Sequence, residues 1–186
     1  MRNSERITDL NKPGEGEHVI SEAEEAVYEF LERNGIDFSV YFHAPAFSME
    51  ECERIRKEIG VPIFKNLFLT NKQQTLFYLL MMPAQKPFKT KYLSSQLGCA
   101  RLSFASPDAM HEYLHIEPGA VSPLGLIHDK GKVVNLIIDK DLLNFPTYAC
   151  HPCVNTASVV MPLTTLLQEV IPATDHSYTL VELPSE

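Results

Sequence analysis

Between residues 65 and 82 two apolar runs, Lys65–Leu69 and Thr75–Met82, are separated only by the polar stretch Asn71-Lys-Gln-Gln74. That gap admits a hairpin turn and falls far short of what a parallel crossover requires. The second run, continued to Pro83, is the longest apolar stretch of the chain. It is about half the ~20 residues that cross a bilayer, so it reads as a buried strand. Phe38, Val40 and Phe42 alternate as a strand does, and Leu124–Ile127, Val133–Ile138, Ala157–Met161 and Tyr178–Leu183 are strand-like. Strand-like runs outnumber helical ones, and several follow one another too closely for helical crossovers. The expectation is an α/β (α+β) chain: a mixed, largely antiparallel β-sheet with packed helices, not a doubly wound fold.

The helical signals are local. Ser21-Glu-Ala-Glu24 is a capping box, followed by Ala23, Val27, Phe30 and Leu31 at helical spacing and by Gly35 as a left-handed stop. Ser48-Met-Glu-Glu51 repeats the pattern before a helix that carries Cys52 and Ile55 and stops at Gly60. Thr90–Leu97 ends on Gly98, Ser106-Pro107 caps a helix to about Tyr113, and Thr164–Val170 is a last helix. Asp129-Lys-Gly-Lys132 is a turn. Residues 1–17 are polar, with Pro13, Gly14 and Gly16, and read as a mobile N-terminal arm before a single domain at 18–186. A domain of that size buries roughly 70% of the surface its unfolded chain exposes, so it needs neither disulfide nor metal to hold together. The first residues contain no apolar stretch of a secretion signal, which points to the cytoplasm and to reduced cysteines.

The net charge of -8 argues against a nucleic-acid partner until its distribution is considered. Residues 54–101 hold Arg54, Arg56, Lys57, Lys65, Lys72, Lys86, Lys89, Lys91 and Arg101 against one acid, Glu58. A basic block in an acidic chain is how a local phosphate-binding face coexists with a low isoelectric point. A solvated surface with accidental charge segregation gives the same count.

Cys150-His-Pro-Cys-Val-Asn-Thr156 is the strongest local motif, and it supports three readings. Cys-x-x-Cys is a redox spacing, but here it lies late in the chain and precedes a β-branched run rather than a helix. Cys150, His151 and Cys153 could ligate zinc, but no second pair completes a tetrahedron. In the third reading the cysteines are small buried hydrophobes, and His151, Asn155 and Thr156 are the polar groups that face a pocket.

The third reading agrees with a resemblance that covers residues 20–183. His151-Pro-Cys-Val-Asn155-Thr156 resembles the His-Pro-x-x-Asn-Thr motif of the YbaK/ProX family of prolyl-tRNA editing domains, in the form of its free-standing, alanine-specific branch. Three further stretches match in the same order: His43-Ala-Pro-Ala-Phe47, Lys65-Asn66-Leu-Phe-Leu69 and Gly119-Ala-Val-Ser122-Pro123. The resemblance implies a deacylase of mischarged tRNA(Pro), most of all one bearing alanine, with cysteine as the alternative amino acid. It implies Lys65, Asn66, Gly119 and His151 as the catalytic set, and His43, Phe47, Ser122, Pro123, Asn155 and Thr156 as substrate-binding. It also implies that Lys86, Lys89, Lys91 and Arg101 meet the acceptor stem. The partners are then tRNA and, as a candidate, prolyl-tRNA synthetase, with no cofactor and no metal.

The residues themselves allow that chemistry. An aminoacyl ester is already activated, so its hydrolysis needs positioning and charge stabilisation more than a strong nucleophile. No Gly-x-Ser-x-Gly elbow is present, and Ser122 has no evident base. Lys65 opening an apolar strand is either a snorkelling strand end or a ligand for an ester or phosphate oxygen. Gly119 is either an ordinary turn glycine or a point of close approach to a ligand. A non-catalytic tRNA-binding module of the same fold remains open at this stage.

Overall fold

The computed structural model describes residues 6–11, 17–45, 49–62 and 64–185. In chain order they form β1 (Ile7–Asp9), α1 (Glu22–Arg33), β2 (Ser39–Phe42), α2 (Met49–Ile59), β3 (Phe64–Thr70), β4 (Phe77–Pro83), α3 (Thr90–Leu97), β5 (Ser103–Phe104) and α4 (Pro107–Leu114). There follow β6 (Val134–Asp139), β7 (Thr147–Cys150), β8 (Ala157–Pro162), α5 (Leu163–Thr165), α6 (Ile171–Ala173) and β9 (Tyr178–Val181). The strands build two sheets, a four-stranded one in the order β1-β2-β8-β7 and a five-stranded one in the order β5-β3-β4-β6-β9.

Both sheets are mixed. β3–β4, β3–β5, β2–β8 and β7–β8 are antiparallel, whereas β1–β2, β4–β6 and β6–β9 are parallel. The hairpin read from the sequence is present, with Lys65 opposite Met82 and Thr70 opposite Phe77. β4 and the Leu67–Leu69 part of β3 are continuously apolar because the five-stranded sheet is covered on both faces. Phe68, Leu79 and Leu136 join the main core between the sheets, while Leu69, Leu80 and Ile137 pack with Leu93 of α3 in a smaller core.

The Ser21 capping box closes as expected: the Ser21 hydroxyl accepts from Glu24 N, and the Glu24 carboxylate accepts from Ser21 N. Ser106 likewise caps α4, with Pro107 as its first residue. Ser48, the cap expected for α2, lies outside the described residues.

Three local expectations are corrected. Leu124–Ile127 is not a strand; Pro123–Ile127 is a 3-10 turn with every residue buried and Leu124 N donating to the Ser122 hydroxyl. A short apolar run buried all round carries no period, so composition alone could not separate the two states. Ile7–Asp9, inside the stretch read as a mobile arm, pairs in parallel with Val40–Phe42. The last helix is longer than expected: residues 163–173 run continuously through a π-helical turn at Leu166–Val170. Two further strands were not read from the sequence: the two-residue β5, and β7, which ends inside the cysteine motif on Cys150.

Candidate active site

The start of β3 faces the ends of β2 and β7 and the start of β8, and a cleft opens where the two sheets meet. Its open part, about 290 Å³, is lined by Phe64, Lys65, Asn66, Leu67, Gly119, Val121 and His151. Phe64, Asn66 and His151 are shared with a narrower cavity of about 90 Å³ behind them. Ile55, Ile59 and Val61 from the α2 side, together with Ala149 and Cys150, make that cavity mostly apolar. His43 and Ser158 add polar groups to its wall, and so does Arg56, which is ion-paired with Glu53.

The five-stranded sheet contributes donors. Lys65 Nζ donates to the Lys86 carbonyl at 2.8 Å, which leaves two of its three N–H groups for the cleft. Asn66 Oδ1 accepts the Tyr148 hydroxyl at 2.7 Å. Because that oxygen is engaged, the Asn66 amide NH2 is the group left for a ligand. Tyr148 is fully buried and stacks on Phe64 at 4.9 Å, and burial pushes its phenol well above the ordinary range, so it stays a donor.

The four-stranded sheet contributes neutral imidazoles. His151 Nδ1 donates to the Ala157 carbonyl at 2.8 Å, and burial lowers the ring's pKa. A carbonyl can only accept, so the proton sits on Nδ1 and Nε2 keeps a lone pair. His43 is built the same way. Its Nδ1 donates to the Ala44 carbonyl at 3.0 Å, and its Nε2 accepts the Ser158 hydroxyl at 2.9 Å. Burial pushes His43 down to about 4. The two rings lie 6.0 Å apart.

Pro118-Gly119 forms the third wall. Ala120 N donates to the Glu117 carbonyl at 3.1 Å and Gly119 has φ +94°, the pattern of a type II turn with proline second and glycine third. A Cβ at Gly119 would point to Asn155, at 3.8 Å from its Nδ2. Glycine therefore serves the backbone geometry of the turn, since a Cβ there would make only an ordinary contact with Asn155.

Residues 43–168 match the family described as the aminoacyl-tRNA editing domain. The chain belongs to that family. It is 33% identical over 162 residues to the prolyl-tRNA editing protein ProX of Acetoanaerobium sticklandii, covering 87% of this chain and 98% of that one. A prolyl-tRNA synthetase associated domain-containing protein of Danio rerio is 27% identical over 86% of this chain and 87% of its own. Among solved structures, a candidate trans-editing enzyme for prolyl-tRNA synthetase superposes with a TM-score of 0.69 over 90% of this chain and 100% of its own. At 20% identity that likeness establishes the shared fold.

Within this editing domain, Lys65, Asn66, Gly119 and His151 come together in one cleft, and Asn155 stands beside Gly119. His43 lines the inner cavity, and its other side borders a separate polar hollow shared with Thr156. Ser122 and Pro123 are buried beneath the loop, where Ser122 caps the 3-10 turn and hydrogen-bonds Cys150. Phe47 lies outside the described residues.

Of the four basic residues expected on an RNA face, Lys89, Lys91 and Arg101 are exposed. Lys86 is not. It is 6% exposed, with Nζ 2.9 Å from Asp139 and 2.7 Å from Asp141, so its charge is spent inside the protein. Cys150 and Cys153 are buried, and burial pushes both thiols up to about 12, the opposite of an activated redox pair. Sequence reasoning missed Tyr148, Ser158 and Arg56. A tyrosine buried in a strand must place its hydroxyl on a partner, and that was the available signal for Tyr148.

Proposed function

We propose that this chain hydrolyses the ester of mischarged tRNA(Pro) in trans, with alanine as the preferred amino acid. The observation that carries the reading is the Lys65 ammonium and the Asn66 amide standing at the mouth of a small, mostly apolar cavity. The ester carbonyl oxygen lies against these two donors, and the side chain of the amino acid enters the cavity. A water oxygen adds to the carbonyl carbon, and Lys65 and Asn66 stabilise the oxyanion that forms. The bond from that carbon to the ribose oxygen then breaks and the ribose oxygen takes up a proton, releasing free amino acid and uncharged tRNA. His151 Nε2 accepts a hydrogen bond from the water or the terminal ribose and holds it in place. No side chain is assigned as the general base; the neighbouring ribose hydroxyl serves, as the family resemblance implies.

The cavity of about 90 Å³ between Ile55, Ile59, Val61 and Phe64 suits a methyl group. A cavity of this kind discriminates one extra heavy atom by about 10–200-fold. Lys89, Lys91 and Arg101 form the face that meets the acceptor stem. The site of action is the cytoplasm, beside the prolyl-tRNA synthetase whose misacylated product is the substrate.

The test is deacylation of alanyl-, cysteinyl- and prolyl-tRNA(Pro) side by side. The expected order is alanyl fastest, cysteinyl slower and prolyl untouched. Faster release of cysteine would reverse the choice of amino acid, and release of neither would remove the deacylase reading.

A further inference from the structure

We propose that Lys86, with Asp139 and Asp141, is a positioning device for the catalytic Lys65; this rests on the deacylase reading above. β4 ends at Pro83, and the chain turns there, with Lys86 N donating to the Pro83 carbonyl at 3.2 Å. Lys65 sits opposite Met82 on the neighbouring strand, so its side chain runs toward that turn and donates to the Lys86 carbonyl at 2.8 Å. Lys86 is thus held at three points. Its N–H closes the turn, its carbonyl receives Lys65, and its own ammonium reaches down to Asp139 and Asp141.

The lower anchor is centred on a buried carboxylate. Asp139 is the last residue of β6, fully buried, and its Oδ1 also accepts Asp141 N at 3.0 Å while it caps the 3-10 turn at Lys140–Asn144. A buried ion pair is seldom the most stabilising solution; well-packed apolar groups usually do as well. What the ionic anchor adds is direction, because the buried Asp139 carboxylate, with Asp141 beside it, sets where Lys86, and with it the Lys86 carbonyl, stands.

Lys65 needs that direction. A lysine is a flexible point charge whose rotamer entropy costs on the order of 2 kcal/mol to fix. A carbonyl in a fixed place takes one N–H and aims the other two. Misplacing a reacting group by about 1 Å can cost as much as 100-fold in rate. A turn free to shift therefore weakens catalysis without touching the substrate.

The experiment compares Lys86→Met, which keeps the bulk and removes the charge, with the milder Asp141→Asn at the half-exposed carboxylate. Both are made alone and in a Lys65→Ala background, with kcat, KM and Tm measured on alanyl-tRNA(Pro). The expected result for Lys86→Met is a kcat lowered about 10-fold with KM within about 2-fold. Asp141→Asn should give a smaller loss in the same direction. In the Lys65→Ala background neither should lower the rate further, because the group being positioned is gone. An unchanged kcat, or a loss that adds fully to that of Lys65→Ala, overturns the proposal. If Lys86→Met does not fold, Asp141→Asn decides by the same criteria. The two readings fail separately: a fully active Lys65→Ala sinks the deacylase site, whereas an inactive Lys65→Ala with normal Lys86→Met or Asp141→Asn sinks only the positioning role.

Discussion

The five-stranded sheet brings to the cleft an ammonium and an amide that donate, whereas the four-stranded sheet brings two imidazoles that burial keeps neutral. The two walls therefore differ in charge and in hydrogen-bonding character. In the proposed deacylation one side would meet developing negative charge, and the other would brace the substrate without adding a second charge that competes for it. The basic block of the sequence, residues 54–101, contributes to the five-stranded sheet and to α2 but to no strand of the four-stranded sheet. Lys65 is presented to the cleft, while Lys86, twenty-one residues on, is consumed by two aspartates.

The largest expected effect removes the charged wall. Lys65→Ala should lower kcat for deacylation by about 10²–10³. Its Tm should be little changed, since the half-buried ammonium makes one hydrogen bond to a carbonyl. Lys65→Arg should recover little, because a planar fork cannot take the place of a compact ammonium. Near-normal turnover by Lys65→Ala would erase the contrast between the walls.

The neutral wall is tested by acid. A histidine whose folded pKa is lowered from 6.5 to about 4 binds its proton in the unfolded chain first. Its contribution to stability is complete above about pH 6.5 and is lost as pH falls toward 4, at most about 3 kcal/mol for His43. His128, also pushed to about 4 by burial, acts with the same sign. Chemical denaturation at pH 7.5 and pH 5 should show the loss, and His43→Gln should make the difference between the two pH values smaller. An equal pH dependence in wild type and His43→Gln would mean that the ring is not held neutral.

Outside both walls the effects should shrink. Lys89→Ala with Lys91→Ala should raise KM for charged tRNA several-fold. It should also reduce the slope of log affinity against log salt by about 0.7–0.9 for each phosphate that is no longer neutralised. A slope that does not change would leave the exposed lysines without an RNA role. Smallest of all, Cys150→Ser with Cys153→Ser should keep kcat within a few-fold. Buried thiols pushed up to about 12 are inert at neutral pH. A large loss of activity would bring the cysteines into the chemistry.

Much of this architecture was legible in the sequence wherever its cause is local. The capping serines at 21 and 106, the left-handed glycines at 35, 60 and 98, and the β3–β4 hairpin each depend on a few neighbouring residues. Motif order also brought Lys65, Asn66, Gly119 and His151 into one expectation, because the family keeps them in one order along the chain. The basic block was visible as a count, but a count carries no burial. Nothing around Lys86 in the sequence announces Asp139 and Asp141, more than fifty residues away.

The same reason divides the rest. The capped helix ends, the hairpin and the mixed sheet class can be read from the order of residues, since they follow from short-range sterics, hydrogen bonding and apolar period, whereas the polar groups of the cleft were named only through the resemblance to a family. That Leu124–Ile127 coils instead of extending, and that Asn66 turns its oxygen to Tyr148, emerged only once the chain was packed. So did the neutrality of His43 and His151, and the use of one lysine of the basic block to hold another in place. Desolvation and long-range pairing set the protonation and orientation of a group, and both depend on residues that become neighbours only when the chain has folded.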